Sequence, residues 1–122
     1  MSSFKYVRLY ADAEGVSHFE DIEVPLSATN ANSTSLLSEL VEVSGMRFRK
    51  SLPDYGTEWH PAARRQFVIN LSGSLEMTAG DGEVRLFGPG SIVLVEDTTG
   101  QGHMSRAIGD EERFNLFVVA PK

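Results

Sequence analysis

The chain has 122 residues, 41% of them hydrophobic and 23% charged, and its 11 lysines and arginines against 17 aspartates and glutamates give a net charge of −6. That length holds one domain with one core, over residues 1–122, and the balance of apolar and charged residues excludes disordered and collagen-like classes. An acidic surface is repelled by phosphate backbones and anionic lipid, so neither nucleic acid nor a membrane is expected as a partner.

Phe4 to Ala11 is aromatic and β-branched, and Val16 to Leu26 continues in kind after Glu14-Gly15, predicting two strands. Ser27 to Ser35, rich in Ser, Thr, Asn and Ala, reads as a loop. Leu36, Leu37, Leu40 and Val41 stand at a spacing that suits one helical turn or an extended segment equally. Gly45 to Leu52 leads into Pro53-Asp54-Tyr55-Gly56, a turn in which proline fixes φ and glycine tolerates positive φ. Within that strand the cluster Arg47, Arg49 and Lys50 reads as a solvated edge.

Gln66 to Leu71 alternates, with Phe67, Ile69 and Leu71 on one face and Gln66, Val68 and Asn70 on the other, until Gly73 ends it. Leu75 to Ala79 and Glu83 to Phe87 flank Gly80-Asp81-Gly82, the clearest hairpin turn in the chain. Gly88-Pro89-Gly90 makes a second corner, and Ile92 to Val95 is a continuous apolar run suited to a buried strand. His103 to Ile108 and Arg113 to Val119, joined by Gly109-Asp110, complete the set. About ten short strands with no internal repeat predict an all-β sandwich or barrel, and a closed barrel leaves the fewest edges to protect.

There is no cysteine, which removes disulfides, thiolate metal sites and cysteine nucleophiles. No signal peptide and no stretch long enough to span a bilayer is visible, so a cytoplasmic location is expected.

Between Trp59 and Arg106 two spaced motifs carry a resemblance. His60, the spacer Pro61, Ala62, the spacers Ala63 to Arg65, then Gln66, six further residues and Gly73 resemble the first motif of the cupin superfamily. In that motif a second histidine stands where Ala62 is, and a glutamate where Gln66 is. Gly90, the apolar run to Val95 and His103 are similar to the second cupin motif, with a longer connection from Glu96 to Gly102 and without the usual proline. The resemblance implies an all-β, single-domain cupin-type double-stranded β-helix, that is, a jelly-roll barrel. It is strongest to small single-domain cupins. It also implies a homodimer formed through an outer sheet, for which the apolar N-terminal strands are the expected surface.

In cupins these positions hold a divalent metal at the barrel mouth, which leaves His60, Gln66 and His103 as metal ligands here. Ala62 brings no donor and Gln66 brings a neutral amide, so a divalent transition metal is expected to be held weakly unless Asp97 or Glu58 joins them. The same three residues, His60, His103 and Gln66, are the candidates for catalysis, since imidazoles titrate near neutrality. For a lone histidine, packing beside Trp59 and Pro61 or a place on the surface is the ordinary role, and His18, outside both motifs, reads that way. Trp59 and Phe48 are candidate pocket walls or core; Asn70 shares the Gln66 face. Arg64 is a candidate for an anionic substrate or a solvated charge, and Asp97 for an acid–base partner of His103 or a turn residue.

Three functions follow as expectations, each with a small-molecule ligand as partner. The first is an enzyme using acid–base chemistry of the isomerase, dehydratase, lyase or cyclase type. The second is a non-catalytic ligand-binding cupin, and the third a metal-dependent, dioxygenase-like cupin, against which both ligand departures count.

Overall fold

The computed structural model describes residues 3–121. Its strands are β1 (Ser3–Ala11), β2 (Ser17–Pro25), β3 (Ser27–Ala28), β4 (Leu36–Leu37), β5 (Gly45–Ser51), β6 (Gln66–Asn70), β7 (Ser74–Thr78), β8 (Val84–Phe87), β9 (Ile92–Val95), β10 (Met104–Ile108) and β11 (Arg113–Val119). Among the described residues there is no helix, and so none long and apolar enough to cross a membrane. The Leu36 to Val41 segment holds no helical turn: Leu36 and Leu37 pair with β3, residues 38–41 form no regular element, and Leu40 is 96% exposed. A lone turn of helix with no buried face has nothing to offset its nucleation cost.

Six strands form one sheet in the order β2-β1-β9-β6-β11-β5, and three form a second in the order β10-β7-β8. The core lies between them: Leu9, Phe19, Val93 and Val95 of the first sheet pack with Leu75, Met77 and Phe87 of the second. The all-β expectation holds, and two facing sheets are compatible with a jelly roll. The single closed barrel does not hold, because the ladders of the described residues end as separate sheets. Residues 52–65, between β5 and β6, add only the isolated bridges Gly56↔Arg106 and His60↔His103. Pro53 and Pro61 lack the amide hydrogens that a continuous ladder would need there.

Register sorts the large sheet into two faces. Val93, Val68 and Phe117 stand side by side on the inner face, as do Asn70, Asn115 and Arg49. The alternate row of Leu94, Phe67 and Val118 faces outward, and with Tyr6 and Ile69 it lines an open apolar groove. Strand β5 is inside-out by composition: Arg49 and Ser51 turn inward, while Met46 and Phe48 are 55% and 78% exposed.

Candidate functional site

His60 and His103 oppose each other as an antiparallel pair, each amide donating to the other's carbonyl at 3.1 and 3.0 Å. Directly opposed residues project to the same side, and the two ring centroids lie 4.8 Å apart. The loop before His103 permits this approach through Gly102, where a Cβ would fall 1.9 Å from the His60 carbonyl oxygen and φ is +79°. Only glycine lets the chain lie that flat in a left-handed conformation. The Ser17 hydroxyl pins the loop by donating to the Gly102 carbonyl at 2.8 Å.

Both rings are held from behind. His60 Nδ1–H donates to the Glu58 carbonyl at 3.0 Å, and His103 Nδ1–H donates to Asp97 Oδ2 at 2.5 Å. Asp97 is fully buried, and its backbone carbonyl accepts from the Ala62 amide at 2.9 Å. A carbonyl and a carboxylate can only accept, so these partners assign the proton to Nδ1 and leave Nε2 of each neutral ring with a free lone pair.

The rings border a cavity of about 230 Å³ between the sheets, shared with Gln66, Val68 and Asn70 of β6. Of the other residues expected there, Asp97 stands behind His103 rather than in the cavity, as its partner. Trp59 stands at a bend beside His60 and does not line the cavity. Phe48 is on the outer face, since successive side chains of a strand point to opposite faces. Arg64 is exposed and borders a surface hollow with Ser44 and Thr98, away from the histidines. Its neighbour Arg65 pairs with Glu96, which also pairs with Arg8. His18 bridges Asp12 and Asp81 at 2.7 and 2.9 Å, which ties the β1–β2 turn to the β7–β8 turn.

The reading from sequence missed the far end of the cavity. Arg49, Arg113 and Tyr55 line it, and Arg113 is 1% exposed. Arg49 lies 4.5 Å and Arg113 5.4 Å from the centre of the Tyr55 ring. Burial, then the charge of Arg49, hold the Arg113 guanidinium below its ordinary value. Burial works to raise the Tyr55 phenol, but Arg49, Ser105 and the Arg113 charge outweigh it and leave it lowered. The available signal was the phase of β11, where Arg113 and Asn115 alternate with Phe114 and Leu116.

A cupin-type divalent metal would find His60 Nε2, His103 Nε2 and the Gln66 amide. Among the described residues no three His, Asp or Glu side chains converge as ligands. Ala62 offers only a methyl group and Asp97 is spent on His103. The donor set carries no negative charge, and two guanidinium groups share its cavity, so it does not fit a tightly held dication. No protein-family model matches the chain, and no curated protein matches it.

Proposed function

We propose that this protein is a cupin-type enzyme that moves a proton on a small organic molecule, with His103 as base and His60 as the facing acid. The observation that carries this reading is the buried Asp97–His103 pair, whose free Nε2 is left for the cavity. Asp97 fixes the ring's tautomer and supplies the countercharge for the imidazolium. His103 Nε2 takes a proton from an atom beside a carbonyl. The electron pair left behind moves onto the carbonyl oxygen, where the Gln66 amide N–H donates to the developing oxyanion. His60, when protonated, returns a proton to a neighbouring atom, which completes an isomerisation. Dehydration, lyase and cyclisation chemistry share the first half of this sequence.

The test is proton exchange of small carbonyl compounds in deuterated water, followed by NMR. Wild type is expected to catalyse exchange, and His103→Asn to lose it by roughly 10²- to 10⁴-fold. Full exchange in that variant overturns the reading. Saturable binding with no exchange in any compound leaves a ligand-binding cupin instead, and a stoichiometric transition metal lost on His103→Ala redirects it to oxygen chemistry. The same reading takes a second copy of this chain as the partner for the apolar outer groove lined by Tyr6, Phe67 and Leu94, which sedimentation would report as a dimer.

A further inference from the structure

We infer that the end of the cavity opposite the histidines is a carboxylate anchor, and that the ligand is a small organic acid held by Arg113 and Arg49. This rests on the proton-transfer reading and names the class of molecule it acts on.

Arg113 is the largest fully buried side chain among the described residues. Its Nη2 donates to Ser51 Oγ at 3.2 Å, and its Nε has no protein partner. Arg8, Arg65, Arg85 and Arg106 each pair with a carboxylate, whereas among the described residues no carboxylate pairs with Arg113 or Arg49. Acids are not scarce, since the chain has 17 against 11 basic residues. Among the described residues Arg47 and Arg64 are also without a carboxylate, but both are exposed, where solvent screens a charge. The two guanidinium groups that line the cavity, one of them fully buried, are left unneutralised without that screening. Like charges in a dry site repel unless an anion joins them, and a guanidinium fork matches the two oxygens of a carboxylate.

Placement fixes where the rest of the ligand lies. Gln66 sits near the histidines and Asn70 stands beside Asn115 and Arg49; four residues of strand separate the two levels, about 13 Å. Between them the walls are Val68, Leu75, Met77, Phe87, Val93 and Phe117. The cavity therefore takes an acid group at one end, a short apolar body, and the reacting atoms beside His103. Asn70 Nδ2 donates to the Gly73 carbonyl at 2.7 Å, so its unpartnered Oδ1 is an acceptor that suits a hydroxyl on the ligand.

Calorimetric titration of the whole chain with butanoate, hexanoate and benzoate, and with their primary amides, tests this. At least one acid is expected to bind at least about 10-fold tighter than its amide. Arg113→Met is expected to weaken that acid by roughly 10- to 100-fold, and Arg49→Gln, at a less buried position, by less. Arg113→Lys, which keeps the charge, is expected to retain part of the binding and covers the case in which Arg113→Met does not fold. Acids and amides that bind alike, no saturable binding of any acid, or an Arg113→Met protein that binds acids like wild type would each overturn the inference. Displacement of the acid by inorganic phosphate at equal concentration would overturn the organic-acid class. His103→Asn separates the two readings: it is expected to abolish exchange and keep acid binding, so either result can fail without the other.

Discussion

The two ends of the cavity hold their polar groups in opposite ways. At the histidine end the Nδ1 of each ring is occupied by a protein acceptor, Glu58 or Asp97. At the arginine end Arg113 Nε, Asn70 Oδ1 and both amide atoms of Asn115 have no protein partner, whereas at the histidine end the one such buried atom is Asp97 Oδ1, which lies behind the His103 ring and not in the cavity lining. A side chain that gives and takes a proton must return to one orientation after each event, so its partner belongs to the protein. A side chain that binds is satisfied by what it binds, and until then its desolvation is uncompensated. Under the proposed function, the first end is the one that reacts and the second the one that recognises.

The largest expected effect breaks the comparison at the histidine end. Asp97→Asn replaces an acceptor with an amide that can present N–H to Nδ1, so the ring loses its fixed tautomer. Exchange catalysis is expected to fall by roughly 10²- to 10⁴-fold while hexanoate binding stays within about 2-fold of wild type. Equal loss of both would mean that Asp97 simply holds the cavity together. Next comes the close approach that brings the rings together. Gly102→Ala forces a Cβ into the His60 carbonyl and is expected to cost roughly 2–4 kcal/mol in denaturant unfolding. Gly82→Ala has a φ of +93° and no atom within 4 Å, so it should cost only the backbone strain, about 1 kcal/mol. Equal costs would show that the crowding at His60 is not what requires glycine.

The arginine end yields a smaller change of unusual sign. Arg113→Met removes a buried charge with no carboxylate partner, so ligand-free stability should change by less than about 1 kcal/mol, or rise. Point substitutions ordinarily destabilise by about 1 kcal/mol, and buried truncations by about 2–5 kcal/mol. A loss of more than about 3 kcal/mol would mark Arg113 as a structural residue and remove the contrast between the ends.

Much of this fold was legible in the sequence because turn chemistry is local. Gly80-Asp81-Gly82 and Gly88-Pro89-Gly90 announced their corners, and the strands on either side followed. The resemblance of the His60 and His103 positions to two cupin motifs implied a meeting of the two rings, and the structure places the residues as one bridge pair. What was not legible was which face of a strand turns inward. In β5 and β6 the more apolar face, with Phe48 or with Phe67 and Ile69, lies outward, and the face with Arg49 or with Gln66 and Asn70 lies inward. Alternation fixes which residues share a face but not which face meets the core. The usual assumption that the apolar face does so fails where the interior is a cavity with polar groups at both ends and the exterior an apolar groove. Hence Phe48 was read as a wall and Arg49 as a solvated edge, the reverse of their places.

The smallest effect sharpens the comparison through a histidine with no free nitrogen. His18 is bonded on both sides, to Asp12 and Asp81, so it should contribute stability and nothing to exchange or binding. Its hydrogen bond to Asp12, then that to Asp81, hold the imidazole above its ordinary value of 6.5. The His18 bond holds Asp12 below 3.8, and the backbone amide of Glu83, helped by His18, does the same for Asp81. A raised histidine stabilises fully below its unfolded value, and that share is lost as pH rises through the folded one. The lowered carboxylates stabilise above their unfolded value and lose their share as pH falls through the folded one. The cluster is therefore worth most in mildly acidic solution, between those limits. His18→Gln should lower the melting temperature more near about pH 5.5 than near about pH 8.5, and since each side chain is partly exposed, about 1 M salt should shrink the difference. An equal loss at both pH values would mean that the ring acts here as a neutral hydrogen-bonding group. His18 would then no longer serve as the charged reference against which the half-free rings of His60 and His103 are judged.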